Sequence, residues 1–164
     1  MEVLVAYASK HGSTEGIARA IAGRLTERGH RAHAANVAEL DGPGTAAAVV
    51  LGSAVYAGSW MKEATAWAER HAQELARLPV WLFTSGPLGT DVEDEEEQPK
   101  QLPGLTETLH PVEHRVFFGA LDRDGLGFAE RMIVKAVRAP DGDFRDWEAI
   151  GAWADAIAAR LDRA

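Results

Sequence analysis

Apolar positions recur along this chain with two periods, and their alternation predicts the architecture. Glu2 to Ala8 (EVLVAYA) is short, apolar and β-rich, the pattern of a strand buried on both faces. From Gly12 to Arg28 the period lengthens. Ile17, Ile21 and Leu25 fall on one stripe of an amphipathic helix, which Gly29 ends. Arg31 to Val37 is a more polar strand, as suits a sheet edge. Ala46 to Ser53 (AAAVVLGS), Val80 to Ser85 (VWLFTS) and His114 to Leu121 (HRVFFGAL) predict three further strands. Between them, Met61 to Leu78 carries Ala64, Trp67, His71, Leu75 and Leu78 on one helical face, with His71 read as a packed core residue. Phe144 to Leu161 closes the chain as a helix. Its stripe is Trp147, Ile150, Ala154, Ile157 and Leu161, with Asp146 as N-cap.

Strands alternating with helices in this way predict an α/β fold, a parallel sheet covered by helices on both faces. With no internal repeat and no linker, residues 1–164 read as one domain. Two segments exceed a minimal alternation. Pro87 to Pro103 reads as a loop containing the acidic run Asp91 to Glu97. Asp122 to Asp143 holds a helical stretch of its own, Leu126 to Val137. Loops this long are usually functional or disordered.

Composition narrows the chemistry. The formal charge is -8, from 25 acidic and 17 basic side chains, which argues against nucleic-acid binding. The chain has no cysteine. That excludes a disulfide, a thiol nucleophile and a four-cysteine iron–sulfur cluster, so any redox chemistry must ride on an organic cofactor. The six histidines suggest no metal site. Val3 to Ala8 is too short for the apolar region of a signal peptide, and the uncharged stretch Thr45 to Met61 is broken by glycine and serine. The expectation is a cytoplasmic protein.

The segment with most chemical content is Ser9-Lys10-His11-Gly12-Ser13-Thr14, between the first strand and the first helix. Small hydroxylated residues there aim hydroxyls and backbone N–H groups at one point, and the helix adds its positive end. A phosphate is the natural guest. The loop lacks the second Gly-Lys of a nucleotide-binding P-loop and the G-x-G-x-x-G of a dinucleotide fold. The plainer reading is a βα turn capped by Ser13 or Thr14.

S-K-H-G-S-T resembles the phosphate loop of flavodoxins, [ST]-x-x-G-[NS]-T, directly after the first strand. The resemblance implies a flavodoxin-like doubly wound, five-stranded parallel sheet of order 2-1-3-4-5. It also implies flavin mononucleotide (FMN) in the crevice at the carboxyl ends of its strands. It extends to the loop after the third strand, Ala54, Val55, Tyr56, Ala57 and Gly58. There Tyr56 would flank the isoalloxazine ring, and the Ala57-Gly58 peptide would face flavin N5. Packing alone is the competing reading for Tyr56 and for Trp60. After the fourth strand, Ser85, Gly86, Pro87, Leu88 and Gly89 would approach the ring's polar edge. Flavodoxins often place a second aromatic in this loop. Here Leu88 is the nearest apolar substitute, which would leave one ring face open.

The C-terminal third, V-F-F-G-A-L, an amphipathic insertion and D-W-E-A-I, is similar to the flavodoxin-type protoporphyrinogen oxidases, FMN enzymes that pass electrons to menaquinone. Three functions follow as alternatives: an FMN oxidoreductase of that kind, a flavodoxin electron carrier, or a flavin-free binding module of the same fold. The corresponding partners are a quinone or small-molecule substrate, or a redox protein. Residues 126–138 combine an apolar stripe with Arg131, Lys135 and Arg138. This mixture suits either contact with a membrane surface or packing on the chain's own fold. The acidic run at 91–97 could steer a basic partner but reads more simply as a solvated loop.

Overall fold

The computed structural model describes residues 1–10, 12–56, 58–86, 99–121, 142–143 and 145–164. Five parallel strands form the sheet: β1 (Glu2–Ala8), β2 (Arg31–Asn36), β3 (Ala48–Tyr56), β5 (Val80–Ser85) and β6 (Glu113–Phe117). Their order is β2-β1-β3-β5-β6, the doubly wound 2-1-3-4-5 arrangement in terms of the parallel strands. A short strand β4 (Ser59–Trp60) folds back antiparallel on the end of β3. The helices are α1 (Ser13–Glu27), α2 (Lys62–Arg70), α3 (Ala72–Leu75), α4 (Leu102–Leu109) and α5 (Trp147–Asp162).

The pleat sorts each strand between two cores. Val3, Val5 and Tyr7 of β1 join Ile17, Ile21, Ile150, Trp153 and Ile157 under α1 and α5. Leu4, Ala6 and Ala8 join Trp67, Leu75, Leu105 and Leu109 on the other face. A parallel strand buried on both faces is apolar at every position, as the sequence of β1 shows. β2, at the edge, is only half-buried.

α1 and α5 lie side by side and run parallel. Asp155 accepts hydrogen bonds from Arg24 Nε (2.7 Å) and Nη2 (2.9 Å) and from Arg28 Nε (2.8 Å). Arg24 and then Arg28 hold the Asp155 carboxyl well below the usual carboxylate range. At the other end, Trp147 reaches Gly16. The N-termini of both helices therefore sit together at the carboxyl end of the sheet.

Four elements differ from the sequence reading. The helix expected over 61–78 is two, broken at His71. That residue stays buried as expected, its ring 5.3 Å from that of Trp67 and its Nδ1 3.2 Å from Glu74 Oε1. α4 was not foreseen. Pro103 looks like a breaker but sits in the first helical turn, where a missing N–H costs nothing. The last sheet strand ends at Phe117. Ala120–Leu121 (β7) instead pairs antiparallel with Gly142–Asp143 (β8) in a separate ribbon. Trp147, expected on the buried stripe of α5, is 46% exposed, with the Arg145 guanidinium over its ring. Asp146 does cap α5, accepting from Ala149 N–H at 3.0 Å. The helical stretch at 126–137 and the acidic run at 91–97 lie outside the described residues.

One close approach sets the spacing of the sheet's centre. Gly52 of β3 pairs in register with Phe83 of β5, and the Phe83 ring lies where a Cβ on Gly52 would be. Phe83 is itself pinned by Phe117 and Trp153 and is fully buried. Gly52→Ala should therefore cost about 1–3 kcal/mol by overpacking. Urea denaturation of the variant should show a lowered midpoint with an unchanged slope, and an unchanged midpoint would contradict this packing.

Candidate functional site

The loops that leave β1, β3, β5 and β6 meet at the carboxyl edge of the sheet. After β1, the Ser9 hydroxyl accepts the Gly12 N–H at 3.1 Å. Gly12 has φ 84, a left-handed conformation that disfavours any side chain. It is the cap residue of α1, its carbonyl accepts the Gly16 N–H at 3.0 Å, and no side chain caps the helix. The simple Ser13/Thr14 capping role is therefore not seen. Thr14 is fully buried in this first turn, and its Oγ1 has no hydrogen-bond partner among the described residues. An unpaired buried hydroxyl costs about 1–3 kcal/mol, so its presence beside a helix N-terminus fits a site that receives an acceptor oxygen. Lys10 is exposed beside it.

The loop after β6 closes the opposite side. A Cβ on buried Gly119 would stand 3.4 Å from both Ser13 Oγ and Ser85 Oγ and 3.7 Å from the Gly86 nitrogen. Three segments thus converge around Gly119, where even a Cβ would be in van der Waals contact with all of them. Gly86 has φ 113 and donates its N–H to the Phe117 carbonyl at 2.8 Å. That amide is committed to Phe117 at the end of β6.

After β3, Ala54 and Val55 are half-buried and Tyr56 is 42% exposed at the strand's end. Gly58 turns the hairpin with φ 74, and its carbonyl accepts the Lys100 N–H at 3.1 Å. Trp60 points the other way. It is buried, its backbone N–H donates to Gln101 Oε1 (3.0 Å), and its Nε1–H donates to Thr84 Oγ1 (2.9 Å). Trp60 is thus a packing residue, leaving Tyr56 as the exposed aromatic of this hairpin. His11, Ala57, Pro87, Leu88 and Gly89 lie outside the described residues.

Thr84 also bonds His114 Nε2, at 2.8 Å. The Trp60 N–H takes one lone pair of this hydroxyl, whose proton can then donate to Nε2 of a neutral imidazole. Burial pushes the His114 pKa down, in agreement. This brace, Gly119 and Arg145 were not foreseen. Nothing in the spacing of Thr84, Trp60 and His114 announces a contact that only the sheet order creates.

Among the described residues no cluster of His, Asp or Glu could hold a metal, and no helix is long and apolar enough to cross a membrane.

A 2-1-3-4-5 sheet with hydroxyl-lined loops at its carboxyl edge defines a doubly wound protein of the flavodoxin-like fold. A profile of the flavodoxin domain matches residues 4–147, and the chain belongs to that family. No curated protein sequence matches it significantly. Solved structures share its fold at low identity. A cysteine-to-serine mutant of flavodoxin from Pseudomonas aeruginosa is 16% identical with a TM-score of 0.63, covering 99% of each chain. A flavodoxin from the domain Archaea is 17% identical with a TM-score of 0.55, covering 84% of this chain and 99% of its own. Rubredoxin oxygen:oxidoreductase from Desulfovibrio gigas, 16% identical with a TM-score of 0.63, is matched over 99% of this chain but only 36% of its own.

The Trp60–Thr84–His114 brace is open to test. Thr84→Val keeps the shape but leaves two buried ring nitrogens unpaired, which should cost about 1–3 kcal/mol. His114 also contributes a pH dependence. Its folded pKa lies below its unfolded value, so the unfolded chain takes up the proton first, and this contribution is lost as pH falls below about 6.5. Chemical denaturation of Thr84→Val across that range checks both. Wild-type stability in the variant would remove the brace.

Proposed function

We propose that this chain, as one flavodoxin-like domain over residues 1–164, binds FMN at the carboxyl edge of its sheet and works as an electron carrier. The observation that carries the reading is the unpaired, fully buried Thr14 hydroxyl in the first turn of α1, within a family-matched segment. When bound, FMN supplies one- or two-electron redox chemistry that no side chain here can provide.

The chain's own groups would bind and orient it. Ser9, Ser13 and Thr14 offer hydroxyls, and the N-terminus of α1 offers a positive end for the phosphate. Lys10 and His11 belong to the same loop. Tyr56 offers a flat apolar face to exclude water from one side of the ring. Gly58 lets the β3–β4 hairpin turn tightly, Ala54, Val55, Ser85 and Gly86 would complete the walls, and Ala57, Pro87, Leu88 and Gly89 belong to the same stretches of sequence. No acid–base residue is required. The carrier reading is favoured over a protoporphyrinogen oxidase because flavodoxins recur among the structural neighbours. The partner is then a redox protein, with a quinone as the acceptor in the oxidase alternative.

FMN titration followed by flavin fluorescence tests the site. Ser9→Ala with Thr14→Ala should weaken binding by about 1–3 kcal/mol, as for hydrogen bonds to a charged group. Unchanged affinity would remove the phosphate assignment. Anaerobic assays separate the functions. Transfer of electrons from a flavoprotein reductase to an acceptor protein supports the carrier, whereas turnover of a porphyrinogen with menaquinone would replace it with the oxidase.

Tyr56→Ala should weaken FMN binding by about 1 kcal/mol, the order of an aromatic stacking contact, and partly restore flavin fluorescence. Wild-type quenching and affinity in that variant would move the stacking role away from the β3–β4 hairpin.

A further inference from the structure

We infer that Arg145 is a cationic bracket for the phosphate loop, a binding residue that discriminates a phosphorylated flavin from its dephosphorylated form. The inference rests on the FMN reading above and adds a residue that reading does not use.

Arg145 is held from two sides. Asp143 accepts its Nε (2.9 Å), its Nη2 (2.7 Å) and its backbone N–H (3.0 Å). The Trp147 ring lies under the guanidinium, with 4.6 Å from Cζ to the centroid. The Arg145 side chain is consequently only 19% exposed. Its third nitrogen, Nη1, lies 2.5 Å from where a Cβ on Gly16 would be, and Cζ lies 3.7 Å from it. In a helix the Cα–Cβ direction tilts toward the N-terminus. A guanidinium occupying that position therefore overlies the start of α1 on the face that Gly12 and Ser13 share with Gly16, and only glycine at position 16 admits it.

The electrostatics make this placement informative. A cation at a helix N-terminus opposes the helix dipole, and here α1 and α5 begin side by side, so both positive ends surround Arg145. Carboxylates flank it as well, and Asp146 beside it is used as the N-cap of α5. Asp143 is used in the clip. Glu15 in the first turn of α1 accepts Arg19 at 2.7 Å. A guanidinium restrained in this positive field, over the helix turn whose inner side holds the unpartnered, buried Thr14 hydroxyl, is the arrangement that a phosphate monoester would relieve. Arginine suits this task because its charge persists at every physiological pH and its planar fork is already oriented by Asp143. The competing role is a clip that merely pins α5 to α1.

Titrations of the full chain with FMN and with riboflavin, at low and high salt, separate the two roles. Arg145→Met should weaken FMN binding about tenfold, leave riboflavin binding unchanged and flatten the salt dependence of FMN binding. Arg145→Lys should recover part of the FMN preference. Gly16→Ala, which displaces the guanidinium without removing its charge, should produce the same selective loss in a smaller amount, and it carries the comparison if Arg145→Met fails to fold. Equal FMN affinity in Arg145→Met, or matching losses for FMN and riboflavin, would overturn the bracket and leave the structural clip. A wild-type chain that binds riboflavin as tightly as FMN would instead overturn the phosphate site itself.

Discussion

The constraint on which the structure depends is the burial of both faces of a parallel sheet. Successive residues of β1 enter different cores, Val3, Val5 and Tyr7 on one side and Leu4, Ala6 and Ala8 on the other. A slip of one residue would exchange the two sets. With both faces covered by helices, the backbone is reachable from solvent only at the strand ends and along the sheet's two edges. Because the strands are parallel and helices follow them in the chain, helix N-termini come to the carboxyl end. The site location follows from that geometry before any particular residue is considered.

Small residues then determine what the site can hold. Gly12 adopts the left-handed turn that starts α1, and Gly16 admits the Arg145 guanidinium. Gly52 lets Phe83 lie across the sheet centre, one pleat behind the hairpin that carries Tyr56. Each glycine is explained by a different neighbour. None of these contacts is local in sequence except the turn at Gly12.

The sheet was legible because its signals are local: apolar runs of strand length, helical stripes between them, and one hydroxyl-rich turn in the expected place. The tight turn after β1 was legible for the same reason, since Ser9 and Gly12 form their hydrogen bond within four residues. The rest was hidden by physics that acts over distance. α4 escaped because a proline that starts a helix looks like one that stops it. Trp147 matched the helical period yet is exposed, because the first turn of α5 overhangs the core and its ring serves Arg145 instead. The Gly86 amide is taken by Phe117 because β5 and β6 are adjacent, a pairing that no residue of the Gly86 loop encodes by itself.

The Trp60–Thr84–His114 brace shows how such distant contacts shape the proposed site. Trp60 ends the hairpin that begins at Tyr56, and its indole is fixed to the neighbouring strand β5 through Thr84 and onward to the edge strand β6 through His114. Its backbone is held by Gln101 at the start of α4, and Met61 N–H donates to Ser53 Oγ at 3.0 Å. The base of the hairpin is therefore tied to three strands and a helix, while Tyr56 at its tip stays exposed. A surface aromatic on so restrained a base loses little conformational freedom when a planar ligand settles on it, which is where preorganised sites gain their affinity. On the proposed reading, the unforeseen brace thus holds the foreseen aromatic in place. The neutral His114 adds no charge beside it, leaving the electrostatics of the site to Lys10, Arg145 and the two helix ends.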